Sequence, residues 1–378
     1  MPAARLAHLA VRDFRNLANV ELSPPAEGLV VVGENGQGKT NLLEAIYYFQ
    51  ILRSVRGARD QDLVRFGTDA FHLGATVDTD RCHEIGVGFE RATKRKRVRL
   101  DGDVPERLSD ALGALPSVMF SPADVELVGG APGARRRYLD IVLALTTPGY
   151  LAALQRYRAA LARRNAALRE STRAARTSTA SIAVWEPALA EHGAVLMRER
   201  MAWVNAVAEP FEQLCREIGE TSRVRVRYST SLDVSALGAP ALAAALETKR
   251  PLDVRRGLTH VGPHRDDLAI TIAGADGAAR DLRTFGSAGQ QRTAAIALRM
   301  LEARTFSERT SRTPLFLLDD PFAELDARRA ANVLDLLCRD RLGQTVLAVP
   351  RDSDIPKEFT GLARARVTAG AVQRLEAA

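Results

Sequence analysis

Residues 33–40 read GENGQGKT, and they lie between the dense apolar run GLVVV at 28–32 and the segment NLLEAIYYFQIL at 41–52. A short apolar run of this kind predicts a strand buried on both faces. In the segment that follows, Leu42, Leu43, Ile46 and Tyr47 recur at helical spacing. Strand, glycine loop and helix in that order fit G-x-x-x-x-G-K-[ST] at every defined position. Gly33, Gly36 and Gly38 let the backbone curl, so that the N–H groups of the loop, through Glu34, Asn35 and Gln37, converge with the helix N-terminus on an anion. Lys39 then reaches the β- and γ-phosphates, and the Thr40 hydroxyl ligates Mg²⁺. The stretch predicts a phosphate-binding loop for ATP or GTP.

Two later stretches complete the chemistry. In LFLLDDPFAELD at 315–326, four apolar residues deliver Asp319 and Asp320 to the C-terminal end of a strand. Phosphoryl transfer requires a metal held opposite the loop and a group that positions the attacking water. Asp319 suits the metal and Asp320 the water. The second stretch, GSAGQQRT at 286–293, is a glycine-flanked turn feeding the helical run AAIALRMLEARTF. Its Ser-x-Gly-Gln pattern, followed by the acid-ended strand and AELD, resembles the signature arrangement of ABC-type ATPases. That resemblance implies that Ser287, Gly289 and Gln290 of one molecule cap the γ-phosphate held by the loop of another, again through a helix N-terminus.

Between these motifs the pattern changes twice. Alternating stretches such as HLGATV and HEIGVGF predict antiparallel strands across 68–120, and the sequence turns helical from 121 to about 219. Tyr150, Leu154, Tyr157, Leu161 and Leu168 step by fours and threes, with Arg164 in the skipped position, as in a short coiled-coil seam. Trp185, Leu189, His192, Leu196 and Trp203 answer them, and STRAARTSTAS between the two reads as a loop. The β pattern resumes after Pro251 with LAITIAG, LFLLDD, QTVLAV and ARVTA. We therefore expect the N-terminal half of an ATPase domain at 1–120, a helical arm at 121–250, and the C-terminal half at 251–378.

Composition limits the partners. The 378 residues are 46% apolar and 26% charged, as in a globular protein with ample core, and no apolar run reaches the length of a membrane span. The N-terminus lacks the unbroken apolar core of a secretory signal, and Cys82, Cys215 and Cys338 stand in no metal-ligand spacing. A cytoplasmic protein without a membrane partner is expected. A net charge of +7 and a pI near 9.6 favour an anionic partner such as nucleic acid. The charge clusters in three places: seven arginines against Glu170 alone between Tyr150 and Ile182, KRKRVR at 94–99, and Arg135, Arg136 and Arg137. Each is a candidate DNA contact. THVGPHRDD at 259–267 invites a metal reading through His260, His264, Asp266 and Asp267, but Gly262 and Pro263 exclude a helical pair of histidine ligands, and a structural turn is expected. Arg56 is a candidate phosphate contact.

DFRNL, GENGQGKTNLLEAIYY, RSVRGARDQDLVRFG, SPADVELVGGAPGARRRYLD, GLTHVGPHRDDLAI, FGSAGQQRT and LLDDPFAELD cover residues 13–326. Together they resemble the RecF family of bacterial recombinational repair proteins, relatives of the structural-maintenance-of-chromosomes ATPases whose heads lack the long coiled coil. The resemblance implies an α/β P-loop ABC-type ATPase head with a β-rich N-terminal part and a helical arm inserted between phosphate loop and signature. It further implies an ATP- and Mg²⁺-dependent homodimer that binds gapped, single-stranded or junction DNA and, with RecO and RecR, helps load the recombinase in repair, replication restart and the SOS response. Two departures stand out. LAVPRDSD carries no switch histidine after the last core strand, which implies slow hydrolysis used as a conformational switch, and Ala323 stands where the family usually has serine. Two other readings compete: an ABC subunit driving a membrane transporter, against which the arginine-rich helical insertion stands, and a small-metabolite kinase, which leaves GSAGQQRT unexplained.

Overall fold

The computed structural model describes residues 3–79, 82–174, 179–234, 237–322, 325–339 and 343–375. Ala323 of the AELD stretch and Arg176 of the arginine-rich segment lie outside the described residues. The chain divides into two compact units, Met1–Asp124 with Glu302–Ala378, and Val125–Leu301.

The first unit holds two sheets. Strands β1 (Arg5–Phe14), β2 (Leu17–Leu22), β4 (Ala70–Asp78), β5 (Glu84–Glu90) and β6 (Arg95–Leu100) form an antiparallel sheet in the order β2-β1-β4-β5-β6. Strands β3 (Gly28–Val32), β7 (Ser117–Phe120), β11 (Leu315–Asp319), β12 (Thr345–Val349), β13 (Ala363–Thr368) and β14 (Ala371–Leu375) form the other, in the order β14-β13-β3-β12-β11-β7. All of its pairs are parallel except β13 with β14. Every residue of β3, β11 and β12 is buried, as their unbroken apolar runs demand of strands covered on both faces. Helix α1 (Lys39–Ile51) buries all but Thr40 and Asn41 and packs against both β1 and the parallel strands. An aromatic cluster closes the antiparallel side, where Phe14 meets Phe71 edge to face at 5.3 Å and Tyr48 meets Phe71 at 5.8 Å.

The second unit is helical around a three-stranded antiparallel sheet, β10-β9-β8, built from β8 (Val224–Ser229), β9 (Asp267–Ala273) and β10 (Ala279–Asp281). Its helices are α2 (Glu126–Gly129), α3 (Pro132–Thr146), α4 (Tyr150–Ala174), α5 (Thr179–Ala183), α6 (Glu186–Ile218), α7 (Ala239–Arg256) and α8 (Leu282–Phe285). Helix α9 (Ala288–Thr310) begins in this unit, and its residues from Glu302 belong to the first. Helix α10 (Ala327–Arg339), in the first unit, buries Val333, Leu334, Leu336 and Leu337.

Several expectations are corrected. The ATPase half expected to start at residue 251 does not: 251–301 lies with the helical unit, because β9 pairs with β8 and α7 packs on α6. Pro251 does not end the helical region but sits inside α7, whose Leu242, Leu246 and Asp253 are buried. The stretch read as a loop between the long helices is helical as far as Ala174 and again from Thr179. Arg164 does not serve the surface. It is fully buried, its guanidinium 2.9 Å from Glu186, 2.7 Å from Asp253 and 2.8 Å from the Thr259 hydroxyl.

Candidate nucleotide site

The parallel register decides where the chemistry gathers. Val349 lies opposite Val32 and Ala348 opposite Asp319, so the loop after β3 and the acid ending β11 emerge at the same edge of the sheet, with β12 between them. Ligands in open parallel sheets bind at this carboxyl edge. There the chain forms a cavity of about 420 Å³ lined by Asn35, Gly36, Gly38, Lys39, Thr40, Asn41, Arg56, Pro122, Asp319 and Asp320.

Each loop residue has a local reason. Gly38 has φ 118° and is the N-cap of α1, and a Cβ there would come within 2.8 Å of the Asn16 side chain. A Cβ on Gly33 would strike the Val367 carbonyl at 2.5 Å. Gln37 is turned away from the cavity: its backbone carbonyl accepts from Asn16 Nδ2 at 3.0 Å and from Gly370 N–H at 2.9 Å, and its Oε1 from Ala369 N–H at 2.6 Å. No side chain caps α1 among the described residues, and its first turn holds no acid, an arrangement that suits an anion at a helix N-terminus.

Charge and coordination fit a metal–triphosphate. The Thr40 hydroxyl donates to Asp319 Oδ2 at 2.8 Å, which places side by side two hard oxygen donors of the kind that suit Mg²⁺. Lys39 folds back on the carbonyls of Gly33 and Glu34, the latter at 3.0 Å. Burial lowers its pKa, against the pull of Asp319 and Asp320. Burial likewise raises the pKa of Asp319, against the Thr40 hydrogen bond and Lys39. Asp320 holds φ 45°, a left-handed conformation unusual for an aspartate and typical of strained functional positions, and its N–H donates to Ala348 O at 2.9 Å.

Sequence reasoning missed the brace beneath the loop. Glu44, fully buried, accepts from Arg15 at 3.1 Å, from Arg56 Nε at 3.1 Å and from the Ser54 hydroxyl at 2.5 Å. Burial works against its charge, but the bonds from Arg56, Ser54 and Arg15 outweigh it and hold its carboxyl below the usual range. Arg56 also donates to the Asn41 side-chain Oδ1 at 2.5 Å, which fastens it to the rim of the cavity. A glutamate inside an apolar helix face, with arginines on both sides in sequence, was the available signal.

Ser287, Gly289 and Gln290 belong to the second unit, and the residues lining this cavity belong to the first. There Gln290 N–H donates to Ser287 Oγ at 3.3 Å and Ser287 N–H to Gln290 Oε1 at 2.9 Å, a reciprocal cap that leaves Ser287 exposed at the start of α9. The turn at 259–267 is a hydrogen-bonded hub. Tyr157 Oη pairs with His264 Nδ1 at 2.6 Å, Tyr228 donates to Asp266 at 2.5 Å, and Arg135 holds Asp267 through two bonds of 2.8 Å. Arg135 is therefore interior and adds no basic surface.

The family model of the RecF/RecN/SMC N terminal domain matches residues 5–359. Among curated proteins, the "DNA replication and repair protein RecF" of Chloroflexus aggregans is 37% identical over 383 residues, covering 94% of this chain and 96% of that protein. The chain belongs to the RecF family. The RecF of a Geobacter species is 36% identical over 88% of this chain and 90% of its own length. Among solved structures, that of the recombination mediator protein RecF-ATP in the RecFOR pathway superposes with a TM-score of 0.88 at 28% identity over 99% of this chain and 98% of that one. The Smc head domain from Pyrococcus furiosus, at 16% identity, shares the fold with a TM-score of 0.57 and covers 98% and 96%. This RecF-family chain is thus a P-loop ABC-type ATPase head related to SMC heads. No described helix is long and apolar enough to cross a membrane.

Proposed function

We propose that this RecF-family protein is an ATP-switched DNA-binding protein of recombinational repair and replication. The observation that carries the reading is the Thr40–Asp319 pair at the mouth of an uncapped helix N-terminus. Bound Mg–ATP would supply a polyanion and a metal to that site. Lys39 would turn from the loop carbonyls to phosphate oxygens, Thr40 and Asp319 would hold the metal, and Asp320 would orient water. Relief of the buried charges on Lys39 and Asp319 favours the loaded state. Without a histidine beyond β12, hydrolysis is slow and serves as a timer.

The exposed Ser287 turn completes a second molecule's site, so that ATP drives a homodimer. Binding of gapped, single-stranded or junction DNA, cooperation with RecO and RecR in loading the recombinase, and a part in the SOS response follow from the family reading. Of the three basic clusters, β6 is the DNA contact best supported. Arg95, Arg97 and Arg99 alternate along this edge strand with their side chains exposed. They are spaced about 6.8 Å apart at the strand rise of about 3.4 Å per residue, twice the roughly 3.4 Å axial spacing of charges along one DNA strand.

Sedimentation with ATP, ADP and gapped duplex tests the switch. The wild type is expected to dimerise with ATP alone, Lys39→Met to remain monomeric and bind no ATP, and Ser287→Arg to bind ATP yet remain monomeric. Dimerisation of Ser287→Arg at the wild-type ATP concentration would overturn the sandwich.

A further inference from the structure

Asn35–Gly36, at the tip of the phosphate loop, is the one Asn-Gly step in the 378 residues. Gln37 N–H closes the turn by donating to the Glu34 carbonyl at 3.4 Å, and Gly36 rounds the corner at φ 81°. Glu34, Asn35 and Gly36 are all exposed. Neither the Asn35 amide nor the Gly36 N–H makes a hydrogen bond among the described residues. A Cβ at Gly36 would meet no atom within 4 Å, so the backbone there is open on the side where other residues are crowded.

Comparable steps elsewhere are hindered or pinned. Asn16 precedes Leu17 and Asn41 precedes Leu42, and a side chain on the following residue crowds its backbone nitrogen. Their amide oxygens are also engaged, Asn16 Oδ1 by Asn41 at 2.8 Å and Asn41 Oδ1 by Arg56 at 2.5 Å. Asp101, before Gly102, accepts from the N–H groups of His83 and Glu84 at 2.7 and 2.8 Å.

The field at the open turn favours attack by the Gly36 nitrogen on the Asn35 amide. Gly36 stands two residues before the N-cap of α1, at the positive end of the helix. Lys39 Nζ donates to the Glu34 carbonyl at 3.0 Å, one residue before Asn35. Positive charge stabilises both a nitrogen that has given up its proton and the oxyanion that forms on the amide under attack. The features that suit a phosphate thus suit this reaction as well.

We infer that Asn35 is a site of spontaneous deamidation, which retires the phosphate loop in molecules that carry no nucleotide. The Gly36 nitrogen loses its proton and bonds to Asn35 Cγ; the Cγ–Nδ2 bond breaks, and the amide nitrogen leaves as ammonia with that proton. The cyclic imide takes up one water and opens at either carbonyl, to aspartate or to isoaspartate. Aspartate sets a negative charge in a loop that suits phosphate. Isoaspartate lengthens the main chain and displaces the N–H groups that follow it. Bound nucleotide engages those N–H groups and shields the turn, and this part of the inference rests on the nucleotide reading above.

Peptide mapping of the full chain, incubated in mildly alkaline buffer with and without replenished Mg–ATP, reads the conversion. Trypsin releases residues 16–39 as one peptide, so Asn16 and Asn19 serve as internal references. Asn35 is expected to convert while both references remain amides. Mg–ATP at about ten times its Kd should slow the conversion about tenfold, in proportion to the fraction of loops left free. Wild type aged without nucleotide should lose ATP affinity as Asn35 converts, and fresh Asn35→Asp should bind ATP about tenfold more weakly than fresh wild type. Asn35→Gln, whose longer side chain closes the ring poorly, should hold its own starting affinity through the same incubation. If Asn35 converts no faster than Asn16 and Asn19, or at one rate with and without bound Mg–ATP, the proposal fails. It fails too if the converted protein binds ATP as the fresh protein does. If the wild type binds no ATP while Asn35 still converts ahead of the references, the nucleotide reading fails and the site of modification stands.

Discussion

At the scale of single residues, the candidate nucleotide site holds charges that the folded chain does not favour. Burial raises the pKa of Asp319 above the ordinary carboxylate value. A group raised in this way contributes stability below its unfolded pKa and loses it as pH rises through the folded one. Wherever Asp319 is ionised, it therefore costs stability. Asp319→Asn keeps an acceptor for Thr40, and we expect it to melt roughly 2–4 °C above the wild type without ligand, the shift of ~1 kcal/mol in a domain of this size. It should also lose the increase that Mg–ATP gives the wild type, and paired thermal melts read both effects. Glu44 behaves in the opposite sense. Its lowered pKa gives stability that is present above the unfolded value, near ~4.3, and lost as pH falls through the folded one. Glu44→Gln should melt lower than wild type at pH 7 and lose less between pH 5 and pH 3. Equal acid sensitivity in the two proteins would remove Glu44 as a brace.

At the scale of elements, the long helices are joined by buried charge rather than by a purely apolar seam. Arg164 on α4 and Asp253 on α7 are both inaccessible, and Glu186 at the start of α6 completes the cluster with Arg250. Arg163, one residue earlier, lies outside and covers the Trp185 ring at 4.9 Å. Removing one partner of such a pair strands the other in a medium that cannot solvate it. Arg164→Ala should therefore cost about 3–5 kcal/mol, seen as a lower urea midpoint, whereas exposed Arg169→Ala should change stability by less than ~0.5 kcal/mol. Sequence spacing placed Arg164 correctly in the seam, but its three partners come from α6, α7 and the turn after α7. Composition counted it as surface charge for that reason.

At the scale of the whole molecule, net charge says less than its distribution. Arg135 and Arg164 are spent inside the protein, and the row on β6 remains exposed. Replacing Arg95, Arg97 and Arg99 together by glutamine should leave the melting temperature unchanged. It should lower the slope of log affinity against log salt by about 2–3, near 0.9 per lost phosphate contact. Filter binding of gapped duplex across a salt series measures it, and an unchanged slope would move the contact away from β6.

From the sequence alone the glycine loop, the acid-ended strand and the glycine-flanked turn at Ser287 were legible, because each is a local pattern of strand, glycine and helix that needs few distant partners. So were the buried strands β3, β11 and β12, whose apolar runs have no polar face to expose. That β12 stands between β3 and β11, that 251–301 belongs with the helices, and that Arg15 and Arg56 converge on Glu44 came from the fold. Strand order, unit boundaries and the fate of a buried charge depend on pairings between residues far apart in the chain, and local spacing carries no record of them.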